Sequence, residues 1–187
     1  LNYAYDSIKS GSDELRSKSF DYEQIVNSLQ YDITNFLFKL TTRNLSDAER
    51  IKTDVLFHIV NDIERVGDHA ENIAEISQEL SDKNVVFSEE AIKELDLIFD
   101  IASNNFYDSI TAIKTNNLEL AETVAQREKK VDLLEQSARN SHMARLHEES
   151  CSVEAGIYFL DIISNLERIS DHSKNIVEEM NRMQGHI

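Results

Sequence analysis

Glu64, Asp68, Glu71 and Glu75 follow one another at intervals of four, three and four residues. On a helix of 100° per residue this puts four carboxylates on one stripe about 60° wide. Like charges at that spacing destabilise a helix by roughly 0.2–0.5 kcal/mol per pair, so a cation or opposing basic side chains must offset them. Carboxylate oxygens one turn apart can share a metal ion or hold two adjacent ones. A corresponding stripe stands further along the chain at Glu167, Asp171, Lys174 and Glu178, where a lysine breaks the run. A multinuclear site needs ligands from more than one helix. The segment before the second stripe offers Glu128, Asp132 and Glu135, spaced at four and three on one face. Its earlier counterpart reads Glu23, Asn27 and Gln30, with two acids replaced by amides. An amide oxygen is a neutral, weaker ligand for a hard cation, so the two sites are expected to be unequal, the second the tighter.

The stripes belong to an internal repeat. His58–Glu75 aligns with Asp161–Glu178 at an offset of 103, and Ile59, Glu64, Arg65, Asp68, His69, Asn72, Ile73 and Glu75 are the same residue types in both copies. Eight identities in eighteen positions compare with about one for independent sequences of average composition. Duplication is the simplest explanation. Tyr5–Ile8 also recurs as Tyr107–Ile110. That match predicts that the first helix is the cut copy of a longer one, and that the natural polypeptide continues upstream of Leu1 by roughly 15 residues of helix.

The elements that position these residues are helices. In Ile59, Ile63, Val66, Ala70, Ile73, Ile76 and Leu80 the spacing never leaves the helical three and four. Ser46-Asp47-Ala48-Glu49 is a capping box at the start of that run. Six helices are predicted, at 2–17, 20–42, 46–81, 88–115, 117–148 and 150–183, with short connections that make sequential neighbours antiparallel. The expected fold is all-α: two tandem three-helix bundles related by a pseudo-twofold repeat, residues 1–84 and 85–187.

Composition narrows the functions available. There is no proline, four glycines and neither an Asn-Gly nor an Asp-Gly dipeptide among 187 residues, which excludes an all-β fold. With 35 acids against 19 bases the net charge is −16, which opposes phosphate-backbone binding and makes nucleic acid an unfavourable partner. Cations are the natural ligands. The single cysteine, Cys151, can form neither an internal disulfide nor a Cys-based zinc site, and fits a reducing compartment. The longest apolar runs fall far short of the roughly 20 residues that cross a bilayer.

Taken alone, the acidic stripes also read as solvated faces of a soluble bundle, with Arg65 and Arg168 pairing locally. The recurrence of Glu-Arg-x-x-Asp-His-x-x-Asn-Ile amid drifting neighbours argues that something other than solubility held these positions. His69 and His172 lie 100° around from their aspartates, at the border of the apolar face. A structural histidine bonding across the bundle is favoured over a direct ligand, and the expected place of both, with Asn72 and Asn175, is behind the ligands, each imidazole orienting a neighbouring carboxylate.

NDIERVGDHAENIAE and SNLERISDHSKNIVEE resemble the paired Glu-Arg-x-x-Asp-His signatures of PhoU domains, and the resemblance covers nearly the whole chain. It implies two three-helix bundles carrying multinuclear metal clusters on acidic motifs, and a role in regulating phosphate uptake. The matching positions are Glu64 with Asp68, Glu167 with Asp171 and Glu128 with Asp132, while Glu23 with Asn27 departs from the pattern. The string around Glu64 is more similar to the cytoplasmic C-terminal domain of bacterial sodium/phosphate cotransporters. The expected partner is then a transmembrane transporter in the same polypeptide, at the cytoplasmic side of the membrane. A free-standing cytoplasmic phosphate regulator is the alternative. Phosphate held through metal and a homodimer are further expected associations. All-oxygen ligation with an imidazole nearby suits iron, manganese, magnesium or nickel and leaves zinc open.

Two other classes remain in view. A di-iron enzyme of the bundle type carries His three residues after Glu on two helices, whereas Gly67 and Ser170 stand at those places here. No catalytic residue is therefore assigned. A structural bundle that docks a protein through its long faces is the other, and it differs in requiring no metal.

Overall fold

In the computed structural model the described residues are 1–148 and 150–184. They form six helices: α1 (Asn2–Ser10), α2 (Asp13–Thr41), α3 (Asp47–Lys83), α4 (Glu89–Thr115), α5 (Leu118–His147) and α6 (Val153–Gln184). No strand occurs among the described residues.

The helix ends follow from local chemistry. Ser46 and Glu49 close the capping box on α3: the serine oxygen accepts from the Glu49 N–H at 3.4 Å and the glutamate accepts from the Ser46 N–H at 2.8 Å. Ser88 caps α4 and Asn117 caps α5 by the same oxygen-to-N–H bond. Asn84 and Asn116 end α3 and α4 in the left-handed region, both at φ 53°, which asparagine tolerates better than other side chains. The break between the first two helices falls at Gly11, not at 17–20 as predicted. Gly11 adopts φ 64° and stops α1, and Ser12 caps α2 by accepting from the Leu15 N–H. The last helix likewise begins at Val153 rather than 150, because Ser152 is its capping oxygen.

These caps also set the true register of the repeat. Gly11 matches Asn116 and Ser12 matches Asn117, an offset of 105. Tyr5 is buried and stacks on Phe99 with ring centroids 3.9 Å apart, whereas Tyr107 is 71% exposed. The Tyr-Asp-Ser-Ile match is thus one helical turn out of register, and Tyr5 corresponds to Ile110.

α1, α2 and α3 pack on one another, as do α4, α5 and α6, and α3 against α6 joins the two groups. α3 and α6 run antiparallel: Asp54 meets Arg182, Asp62 meets His172 and Glu79 meets Tyr158. The main core crosses the join without interruption. It contains Tyr5, Val66 and Ile73 from the first group with Leu95, Ile98, Phe159, Ile162 and Leu166 from the second. Burying a side chain of this size contributes about 1.5–3 kcal/mol. A smaller cluster, Ala112, Ala121, Val124, Val177 and Met180, closes the far end of the second group.

Candidate metal centre

The α5–α6 face carries the tightest group of acids. One carboxylate oxygen from each of Glu128, Asp132 and Asp171 lies within 4.8 Å of the others, and among the described residues this is the one such group of three. The helical spacing explains it: Glu128 and Asp132 are one turn apart on α5, and Asp171 projects from the facing side of α6. Glu128 is 5% exposed, and its Oε2 is buried with no hydrogen-bond partner. A carboxylate oxygen in that state is costly unless a cation or donor reaches it. The other oxygen, Oε1, accepts from Lys174 Nζ at 2.9 Å.

The electrostatics follow from crowding. Burial, then the Glu128 and Asp171 charges, push the Asp132 carboxyl above its usual range. Burial and Glu128 do the same to Asp171, and burial and Asp171 to Glu167. Arg168 partly relieves the rim, 3.5 Å from Glu167 and 3.4 Å from Asp171. Glu135 pairs with Arg139 on its own helix and is outside the group of three.

The α2–α3 face is arranged differently. Glu23 is buried, and Asn27 Nδ2 donates to its Oε1. Gln30 turns to Asn61 on α3, donating at 3.0 Å. Glu64 and Asp68 border Arg65 at 3.9 and 3.5 Å, repeating the Arg168 geometry. Burial and Asp68 raise the Glu64 carboxyl, and burial and Glu23 raise Glu71. These acids feel one another but do not converge as the second set does.

His69, His172, Asn72 and Asn175 serve the join between α3 and α6. His172 Nδ1–H donates to Asp62 Oδ1 at 2.8 Å, and Asn175 Nδ2 reaches the same oxygen at 3.4 Å. In mirror fashion His69 Nδ1–H and Asn72 Nδ2 donate to Asn165 Oδ1 at 2.9 and 3.2 Å. The two imidazoles stack between these bridges, 5.5 Å apart. The carboxylate that His172 orients is therefore Asp62, across the join, and His69 holds an amide. Asp62 and Asn165 were missed because they differ in type. Their signal was positional, since they are equivalent at the offset of 103.

The donor set suits a hard or borderline cation: oxygens from two helices, one of them buried and unpartnered, with raised carboxyl pKa values that a positive ion would reverse. The PhoU domain family matches residues 1–77 and 95–180. The chain belongs to that family. Among PhoU relatives it is 26% identical, over 96% of this chain and 77% of the other, to the phosphate-specific transport system accessory protein PhoU homolog 1 of Thermotoga maritima. It is 29% identical to the corresponding homolog of Clostridium acetobutylicum, over 83% of this chain and 71% of the other. The fold matches the crystal structure of PhoU from Pseudomonas aeruginosa with a TM-score of 0.92 at 20% identity, over 100% of this chain and 88% of that one.

These relatives overturn the expectation of a transporter domain in the same polypeptide. They are named as accessory proteins and matched over most of their own length. Among the described residues no helix is long and apolar enough to cross a membrane.

Proposed function

We propose that this PhoU-family chain is a cytoplasmic, non-catalytic accessory protein that regulates phosphate transport and binds metal through its acidic faces. The regulatory part is supported by the Thermotoga maritima and Clostridium acetobutylicum relatives, both named as accessory proteins of a phosphate-specific transport system. The metal part rests on one observation: the convergence of Glu128, Asp132 and Asp171 within 4.8 Å. Those three would hold the ion, with Glu167 at the rim. The α2–α3 face, through Glu23, Glu64 and Asp68, is the weaker site. Iron, manganese, nickel, zinc and magnesium all fit oxygen ligation, and the order of affinity among the divalent transition ions follows the Irving–Williams series. A bound multivalent cation would supply a positive locus on a chain of charge −16, to which an anionic oxygen could be drawn.

The test has two arms. The chelator-stripped chain, titrated calorimetrically with Mn²⁺, is expected to show a saturable high-affinity phase, and its absence would reject the metal reading. Cells whose copy carries Asp132→Asn and Asp171→Asn are expected to take up phosphate at an altered rate. Unchanged uptake, with the variant protein present at normal level, would separate metal binding from regulation.

A further inference from the structure

The lysine in the second acidic group has no counterpart in the first. At the offset of 103 that relates α3 to α6, Lys174 stands where Glu71 stands. Its ammonium is 2.9 Å from Glu128 Oε1, and its side chain keeps 30% exposure while that of Glu128 keeps 7%. The charge therefore reaches a buried carboxylate from the solvent side, on a flexible four-carbon stem. It leaves the other Glu128 oxygen buried and unpartnered.

We propose that Lys174 is a tethered cation that competes with the metal for Glu128. This rests on the reading that the Glu128–Asp132–Asp171 group binds metal. A buried carboxylate needs a positive partner, and removing that partner leaves an uncompensated charge. With no metal present, Lys174 fills that need. A multivalent ion held by the same three carboxylates would stand within a few ångströms of the ammonium, where like charges repel strongly in a partly buried setting. The metal therefore enters as the lysine head swings into water, and the site accepts only cations that bind well enough to displace it. Arg168 plays no such part: it lies along Glu167 and Asp171 at the rim, as Arg65 does along Glu64 and Asp68.

Competition has a signature that a purely structural lysine lacks. Removing Lys174 should weaken the metal-free protein and tighten metal binding, two effects of opposite sign. A lysine that merely positions Glu128 would weaken both on removal. The experiment uses the full chain, stripped by chelator, with Mn²⁺ alone as probe. Calorimetric Kd and thermal midpoints with and without Mn²⁺ are measured for the parent, Lys174→Met and Lys174→Gln, the second serving if the first does not fold. Both variants are expected to bind Mn²⁺ on the order of tenfold more tightly, since each 1.4 kcal/mol of relieved repulsion is a factor of ten. Their midpoints should be lower in chelator, and the rise on saturation with Mn²⁺ larger. If the parent binds Mn²⁺ saturably and the variants bind it equally or more weakly, the competition is overturned and the metal site stands. If neither parent nor variants bind Mn²⁺, both the competition and the metal site are overturned.

Discussion

The two acidic faces carry the same formal charge by different means. Glu23, Glu64, Asp68 and Glu71 stand with the amides Asn27 and Gln30 on the α2–α3 face; Glu128, Asp132, Glu135, Glu167 and Asp171 stand with Lys174 on the α5–α6 face. Each set of six amounts to −4. Charge alone therefore does not decide which face can hold a metal. On the first, the buried Glu23 is satisfied by an amide one turn away on its own helix. On the second, one oxygen of the buried Glu128 accepts from the partly exposed ammonium of Lys174 on the facing helix, and the other is left without a partner. A neutral amide takes the place of a ligand charge, whereas a tethered cation leaves the ligand charges in place and must be displaced from them.

The strongest way to break this comparison is to remove ligands from each face in turn. Asp132→Asn with Asp171→Asn takes two of the three convergent carboxylates away. It is expected to weaken the high-affinity Mn²⁺ phase by about a hundredfold, roughly a factor of ten for each lost ligand charge. Glu64→Gln with Asp68→Asn should leave that phase in place. Calorimetry in which the second pair abolishes it instead would reverse the assignment of the two faces.

How much of this could be read from the chain before folding depends on the range of each interaction. The helical period and the Ser46–Glu49 capping box are local, and they gave α3 and the all-α class directly. Gly11-Ser12-Asp13 is equally local: a left-handed stop followed by a serine cap and an acidic first turn. Reading it as such would have ended the first helix at Ser10. The four-residue Tyr5–Ile8 match misled because a short identity contains no burial information, and Tyr5 and Tyr107 lie in opposite environments. The acid stripes were legible as stripes. That Glu135 would turn to Arg139 was also within reach, being an i,i+4 pair on α5. The pairing of His172 with Asp62 was not, since it joins residues 110 apart.

The join between the halves repeats the contrast on a smaller scale, with a carboxylate at Asp62 and a neutral amide at Asn165 accepting equivalent bonds. Hydrogen bonds to a charged group contribute about 1.5–3 kcal/mol and neutral ones about 1. Asp62→Ala is therefore expected to lower the thermal midpoint by roughly 4–8 °C and Asn165→Ala by roughly half that, at about 2–4 °C per kcal/mol for a chain of this length. Equal losses in a melting experiment would show that the charge on Asp62 adds nothing to the join.

A pH series tests the crowding of acids on the second face. Asp132, Asp171 and Glu167 have folded-state pKa values raised above the ordinary carboxylate range. The folded chain thus binds protons more readily than the unfolded one at these sites. Their contribution to stability falls as pH rises through the raised values and is fully recovered below the unfolded values near 4. Asp96, held low by its bonds from Lys9 and Tyr5 despite some burial, acts in the opposite direction and loses its contribution as pH falls. In chelator, the parent minus the Asp132→Asn, Asp171→Asn variant isolates the first term. That difference should move in favour of the parent on going from pH 7 to about pH 4.5. With saturating Mn²⁺ the trend should reverse, because protons then compete with metal for the same oxygens. A difference that stays flat in chelator would mean the acids of the second face are not crowded in solution.

Asn27→Asp tests whether an amide is what holds the first face back. Asn27→Asp places an acid one turn from the buried Glu23, as Asp132 stands one turn from Glu128. It removes the bond from Asn27 Nδ2 to the Glu23 carboxylate, which is part-buried and, as a bond to a charged group, contributes about 1.5 kcal/mol. It also adds a like-charge pair worth a few tenths more, roughly 0.3 kcal/mol. Unlike the second face, the first has no lysine to supply the missing charge, since Glu71 occupies that place. The metal-free midpoint should therefore drop by about 4–7 °C, at about 2–4 °C per kcal/mol. The same substitution supplies a carboxylate one turn from Glu23, whose charge already acts on Glu64 and Glu71. Mn²⁺ should then restore the midpoint and raise the number of ions bound per chain. Because no ammonium must first be displaced, the new site should fill without the competition that Lys174 imposes on its counterpart. A midpoint that falls in chelator and is not restored by Mn²⁺ would show that the first face lacks the convergence of its carboxylates, and not merely their number.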